Sequence, residues 1–223
     1  MPVLTMCTKR CLVFLFFTFY LNAMAEDLKY GAAQLHDFLT DRPKAAEILN
    51  GNAVLEHWLM EAFSGAWTNG RQLVWERDAP GGGARSSAHG SGNTFSIRVS
   101  AQLGGVDQLS ALIFESVNAK GLPEISELNY RAHAHTISRD EYIDDILKHE
   151  HHAMVEVRSL LRQFLPLPKD QIANTEIYRI AIDVPESFSE FPAYLASKRH
   201  SISVARKVYG DEYDALSSTS SAK

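Results

Sequence analysis

Residues 94–120 read TFSIRVSAQLGGVDQLSALIFESVNAK, and this stretch decides the fold. Its first part alternates the apolar residues Phe95, Ile97 and Val99 with polar ones, which is typical of a half-buried strand. A short turn, QLGG, follows, and residues 106–120 then show the 3.6-residue repeat of an amphipathic helix. The side of this helix that is expected to face the core carries Val106, Leu109, Leu112, Ile113 and Val117.

The other side of this helix carries Ala111, Phe114, Glu115 and Asn118. An aromatic residue such as Phe114 is unusual on a helix side that faces solvent. This side is therefore a candidate lining for a cleft. The alternative is an ordinary amphipathic helix with one exposed aromatic side chain, which is a common arrangement. Phe114 and Asn118 are therefore candidate binding residues.

Residues 139–165 form a second predicted helix, whose apolar stripe contains one acid, Glu150. Glu150 lies seven residues from both Ile143 and Val157, so the three side chains point nearly the same way. A carboxylate inside a core is costly unless it is paired, protonated or bound to a metal. With a cationic partner, a Glu150→Gln substitution would clearly destabilise the fold. The possible partners for a structural ion pair or hydrogen bond are Arg131, His133 and His135.

Histidines occur in two short runs, RAHAH at residues 131–135 and KHEHH at residues 148–152. Residues 130–136 are predicted to be extended, and His133 and His135 would then share one face of a strand. This spacing suits a zinc or copper site, for which His133, His135 and Glu150 are the candidate ligands. The histidines of KHEHH point in different directions around a helix, which favours a surface histidine run.

The rest of the chain completes a predicted helix-dominated α+β fold with a small central sheet. We expect a single domain of residues 26–212, followed by a disordered tail of residues 213–223. Asn52 is a suitable helix N-cap, and Pro43 marks a break between two helices. Residues 79–93, which are rich in glycine and serine, are expected to form a hairpin loop. Further helices are predicted at residues 30–50, 52–67 and 187–213, and further strands at residues 71–77 and 178–184.

The first 25 residues are expected to be a cleavable secretory signal peptide. Lys9 and Arg10 supply its basic end, and residues 11–21 are an uncharged apolar run that is too short to span a bilayer. Ala23-Met24-Ala25 is a small-x-small cleavage site. Both cysteines of the chain lie in this segment, so the processed protein would have no disulfide, thiolate zinc site or cysteine nucleophile. The expected location is the periplasm or the exterior of the cell.

The formal net charge of the chain is −5, and cleavage would make it more negative by removing Lys9 and Arg10. An acidic excess without a basic patch disfavours nucleic acid or an anionic membrane as the main partner. No GxSxG or GxxxxGK[ST] motif occurs, which removes the signatures of α/β-hydrolases and P-loop proteins. The expected partner is therefore an unknown protein or a small-molecule ligand.

The order of strand, turn, helix and a later long helix with an inward glutamate resembles the core of a gluzincin-type metallopeptidase. The resemblance covers residues 72–164. In that family the first helix carries HExxH, and the second supplies a glutamate as the third zinc ligand. Residues 114–118, FESVN, stand where HExxH would stand, and Glu150 stands where the third ligand would. The resemblance implies a zincin-like fold with Glu115 in the position of the general base.

Two departures from the family pattern bear on activity. Phe114 has no atom that can bind zinc, and Asn118 is a poor substitute for histidine. Without zinc to lower the pKa of a bound water, Glu115 has no activated water to deprotonate. The sequence therefore predicts an exported, degenerate zincin-like domain that needs no cofactor and binds a ligand or a protein partner. One alternative is an active metal-dependent peptidase or hydrolase, with zinc as its cofactor, that uses His133, His135 and Glu150 with Glu115 as base. Another is a helical interaction protein unrelated to zincins.

Overall fold

The computed structural model describes residues 26–65, 72–77, 86–91, 94–172, 175–197 and 202–219. The predicted signal peptide, residues 1–25, lies outside these residues. None of the described helices combines the length and the apolarity that crossing a membrane requires.

Three helices precede the sheet. The described part of α1 covers residues 26–41, α2 is Pro43–Leu49, and α3 is Ala53–Ser64. The predicted cap is confirmed, because the Asn52 side chain accepts a hydrogen bond from the Leu55 amide at 3.1 Å. The Asn52 amide group also donates to the Phe164 carbonyl at 2.9 Å, which ties the start of α3 to a distant part of the chain.

The sheet has three described strands, β1 (Gln72–Trp75), β2 (Ser86–Ser91) and β3 (Thr94–Val99). Their order is β1-β3-β2, with β1 parallel and β2 antiparallel to the central strand β3. The strands predicted at residues 71–77 and from residue 94 are therefore confirmed. The loop predicted at residues 79–93 is wrong over β2, because backbone pairing with β3 outweighs the weak strand preference of serine and glycine.

Two long helices form a hairpin beside the sheet, α4 (Gly105–His133) and α5 (Arg139–Phe164). The bounds predicted for α5 are confirmed, and a capping box between Ser138 and Glu141 begins this helix. The extended segment predicted at residues 130–136 is wrong, because α4 continues to His133. Its apolar side continues through the buried Leu128 and Ala132, which pack in a cluster with residues of α5.

Short helices and one long helix complete the chain. They are α6 (Lys169–Ile172), α7 (Glu176–Ile182), a 3-10 turn (Phe188–Glu190), α8 (Phe191–Ser197) and α9 (Ile202–Thr219). The predominantly helical character predicted for residues 187–213 is confirmed over the described residues. The disordered tail predicted at residues 213–223 is wrong as far as Thr219, because Tyr213 and Leu216 of α9 pack against buried residues of α4 and α5.

The strand predicted at residues 178–184 is also wrong, since most of it belongs to α7. A carboxylate from α4 explains the helix. The buried Asp107 accepts hydrogen bonds from the amides of Glu176, Ile177 and Tyr178 at 3.1, 3.1 and 3.3 Å. It thereby satisfies the free amides at the start of α7, as an N-cap residue would.

The largest buried cluster joins the sheet to α3, the first half of α4 and the second half of α5. A second cluster lies between the other halves of α4 and α5, with α9 packed against it. A third, smaller cluster is formed by Met154, Val184 and Phe191. The prediction of a helix-dominated α+β fold with a small sheet is confirmed.

Candidate functional site

The predicted cleft side of α4 is packed against protein. Ala111 and Glu115 are buried, with exposed fractions of 0% and 4%, and Phe114 is partly buried. The Phe114 side chain packs against the cluster of Met154, Val184 and Phe191. The expectation of an open cleft along these residues is wrong, because the segment after α7 covers this side of the helix. Asn118 is partly buried on the same helix.

Glu150 has the specific partner that its position predicts, but the partner is not a cation. The Tyr209 hydroxyl of α9 donates a hydrogen bond to Glu150 Oε1. Burial raises the pKa of the Glu150 carboxyl to about 7, although the residue as a whole is only partly buried. The hypothesis of a cationic partner among Arg131, His133 and His135 is therefore corrected to a neutral phenol donor.

The candidate metal ligands do not lie together. His133 and His135 are exposed at the end of α4, and His135 has a left-handed backbone with φ of 54°. Glu150 lies about 16 Å along α5 from the start of that helix, at 1.5 Å per residue. Three ligands of one ion must all lie within about 2 Å of it, so this set cannot act together. In the part of the chain that the structure describes, no group of three or more histidine, cysteine or acidic side chains is placed to hold a metal ion.

His151 corrects the prediction of a surface histidine run. It is 2% exposed, and its Nε2 lies 3.0 Å from the Pro185 carbonyl oxygen. A carbonyl only accepts hydrogen bonds, so Nε2 carries the proton and donates. The ring also packs at 5.0 Å from that of Phe191. The sequence held a signal for this burial, because His151 follows Leu147 by four residues on the apolar side of α5.

Arg158 is a second buried polar residue on α5 that the sequence analysis missed. Its guanidinium donates to the Val184 carbonyl and forms an ion pair with Glu186. Arg158 follows His151 by seven residues, so both side chains lie on one side of α5. Together they bind the backbone that connects α7 to the 3-10 turn, and their roles in the described structure are contacts within the fold.

An open groove lies between the second half of α4 and the first half of α5, and we call it the hairpin groove. Its volume is about 400 Å³. Side-chain contacts tie the two helices near its ends, Tyr142 to Asn129 and Lys120 to Glu156, each at 2.8 Å. The α4 side of the groove is formed by Glu124, Glu127, Leu128 and Arg131, and the α5 side by Asp145, Lys148, His149 and His152.

Charges of both signs line the hairpin groove above an apolar floor. Leu128 is 6% exposed and forms the floor. Lys148 is neutralised by Asp145 on its own helix, at 2.8 Å. The sequence analysis did not identify this groove, because its α4 side lies beyond the point where that helix was expected to end.

Comparison with protein-family models, curated proteins and solved structures finds no match to this chain. The resemblance to gluzincins therefore rests on the FESVN segment, its preceding strand and Glu150 alone.

Proposed function

We propose that the protein is an exported, zincin-like domain that has lost metal-dependent hydrolysis and acts by binding a ligand or a protein partner. The observation that carries this proposal is the place of Phe114. This side chain stands where the first zinc-binding histidine of HExxH would stand, and it packs into the apolar cluster of Met154, Val184 and Phe191. A packed phenyl ring supplies no metal ligand.

The remaining residues of the candidate zinc site do not fit a zinc ion either. Glu150 accepts a hydrogen bond from Tyr209, and a carboxyl with a pKa raised to about 7 is half protonated near neutral pH. Zinc requires a deprotonated carboxylate ligand, so burial works against binding at this position. Glu115 is buried on α4, which leaves it poorly placed to reach a solvent-derived water.

Binding is the remaining function class that the residues support. The hairpin groove offers charged and imidazole groups on two rigid helices, and rigid elements position binding groups more accurately than loops do. The acidic net charge favours a ligand other than nucleic acid. We place the protein in the periplasm or outside the cell, on the strength of its first 25 residues.

One preparation tests export and chemistry together. The chain is produced with its first 25 residues in an exporting host, and the intact mass of the recovered protein is measured. We expect an N-terminus at Glu26, less than one zinc per ten chains after incubation with zinc and gel filtration (about the level of nonspecific carry-over), and no cleavage of unfolded protein substrates. Glu115→Gln should behave as the wild type does in the cleavage assay.

The opposite results would overturn the proposal. A stoichiometric zinc ion, together with cleavage that Glu115→Gln abolishes, would establish a hydrolase with an altered site. Loss of that zinc in a His133→Ala/His135→Ala variant would assign the ligands to the end of α4. A retained apolar segment of residues 11–21, in protein left in the cytoplasm, would contradict export.

A further inference from the structure

The hairpin groove contains unpaired charges of both signs. Glu124 and Glu127 on α4 have no ion-pair partner among the described residues, and neither has Arg131 one turn further along the same helix. The other cation of the groove, Lys148, is already paired with Asp145. A ligand that enters the groove therefore meets two carboxylates without a close ion pair and one guanidinium. Hydrogen bonds from Ser138 lower the pKa of Glu141, and the charge of this guanidinium also helps to lower it.

The order of these groups along α4 fits a ligand with two charged ends. Glu124, Glu127 and Arg131 are spaced by three and four residues, so they follow one another along the same side of the helix. Two carboxylates suit an ammonium group, and the planar guanidinium of arginine suits a carboxylate, which it can bind through two parallel hydrogen bonds. His149 and His152 from α5 add hydrogen-bonding nitrogens on the opposite side.

A second groove shows why volume alone does not select the site. It lies between α1, α2 and α3 and is larger, at about 570 Å³. Its charged lining residues are Glu47 and Glu56, with no cation beside them. Its charged groups are of one sign, whereas the hairpin groove offers groups of opposite charge about one helical turn apart.

We propose that the hairpin groove binds a small zwitterionic ligand, whose ammonium group lies against Glu124 and Glu127 and whose carboxylate lies against Arg131. Free amino acids and short peptides have this chemistry. A volume of about 400 Å³ is at the small end of the range for ligand sites, which suits a ligand of this size. The inference rests on the proposed binding function and gives it a site and a ligand class.

The test uses the processed protein, labelled for NMR, and four probes. These are free alanine, the dipeptide Ala-Ala, its N-acetylated form and its C-amidated form. We expect Ala-Ala to cause saturable shifts at the Leu128 amide, with each blocked form at least about tenfold weaker because it lacks one charge. If alanine binds as tightly as Ala-Ala, the groove is an amino-acid site. If alanine binds more weakly than Ala-Ala, the groove is a site for peptide ends.

Two variants locate the binding groups, and a third is their control. Arg131→Gln should weaken Ala-Ala binding by at least about tenfold while the C-amidated form binds as before, because only the carboxylate contact is lost. The double variant Glu124→Gln/Glu127→Gln should weaken Ala-Ala binding by a similar factor, because the ammonium contact is lost. The N-acetylated form should bind as before. Arg162→Gln is the matched control, because Arg162 is exposed on α5 and does not line the groove.

Other outcomes would overturn the inference. No saturable shift with Ala-Ala or alanine up to about 10 mM, where a ligand of millimolar affinity fills its site, removes the zwitterion site but leaves the non-hydrolytic function standing. Binding that both Arg131→Gln and Glu124→Gln/Glu127→Gln retain places the ligand elsewhere. Binding that needs added zinc, and is lost in His149→Ala/His152→Ala, replaces the zwitterion with a metal ion.

Discussion

The two ends of the α4–α5 hairpin differ in how deeply α4 is buried. At the sheet end, residues 105–119 of α4 are buried on almost all sides by the strands, α5 and α7. At the α9 end, the rest of α4 buries only Leu128 and Ala132, and α9 packs on their cluster through partly buried side chains and adds polar contacts. These contacts are Tyr209 to Glu150, Arg206 to Asp144, Arg139 to Asp214, and Tyr213 to the Ile137 carbonyl.

The difference separates the part of the molecule that contributes most to the fold from the part in which we propose a binding site. Burial of apolar surface is the main source of stability, so the sheet end should be the last region to unfold. Of the residues on which the gluzincin resemblance rests, Phe114, Glu115 and Asn118 lie at this end, where Glu115 is buried and the other two are partly buried, whereas Glu150 contacts α9. The hairpin groove lies at the α9 end, where side chains are exposed and their charges remain available.

Two isoleucines on α4 test this comparison directly. Ile113 is fully buried at the sheet end, and Ile125 is partly buried at the α9 end. We expect Ile113→Ala to lower the free energy of unfolding by about 4 kcal/mol and Ile125→Ala by about 1 kcal/mol, since the cost follows the buried volume that is lost. Urea denaturation followed by circular dichroism measures both values. Equal losses would show that the two ends contribute equally to the fold.

Glu150 gives the second largest expected effect, and it appears as a dependence on pH. Burial raises the pKa of this carboxyl from 4.5 to about 7, so the folded protein holds a proton that the unfolded chain releases. The contribution of this carboxyl to the free energy of unfolding is therefore greatest below pH 4.5. It falls as the pH rises towards 7 and is constant at higher pH. The total change is at most about 3 kcal/mol.

Glu150→Gln should remove this dependence. The glutamine oxygen can still accept the Tyr209 hydrogen bond, and no charge is left to bury. The variant should match the wild type near pH 4.5 and exceed it in stability at pH 8, the reverse of what a cationic partner would produce. Tyr209→Phe is the control, and it should cost about 1 kcal/mol through the lost hydrogen bond. A Glu150→Gln variant that is less stable at pH 8 would point to a cation beside the carboxylate.

The sequence was sufficient where a local pattern and its packing agree. Alternation in residues 95–99 predicted β3, the Asn52 cap predicted the start of α3, and the stripe that contains Glu150 predicted α5. Each signal is local, because it depends on side chains within a few turns of one another. The same stripe predicted that Glu150 is buried and has a partner; the partner is confirmed, and the residue is partly buried.

The sequence was not sufficient to predict the structure where contacts between residues distant in the chain decide it. Tyr178 looked like part of a strand, but Asp107 caps this segment as a helix from about 70 residues away. Phe114 looked exposed on its own helix, but Val184 and Phe191 cover it. The partner of Glu150 is Tyr209, which no local pattern identifies.

Arg206 provides the smallest expected effect and the most direct test of how α9 is held. Its guanidinium contacts Asp144 at 2.5 Å and Asp140 at 3.5 Å, both in the first turns of α5. All three side chains are substantially exposed, so water screens the attraction and Arg206→Gln should cost only about 0.5 kcal/mol. Hydrogen exchange should nevertheless become faster across α9, because the substitution removes a contact between two helices. Salt at about 1 M should abolish the difference from the wild type.

Lys207→Gln is the matched control for Arg206→Gln. Lys207 pairs with Asp211 inside α9, so its loss removes a charge of the same sign from the same helix without touching α5. Its cost should be about 0.3 kcal/mol, with exchange little changed across the rest of α9. If both variants accelerate exchange equally, the exchange rate of α9 depends on the net charge of the helix and not on the contact with α5. If neither does, the tyrosine contacts hold this helix, and the α9 end is more firmly packed than its polar contacts indicate.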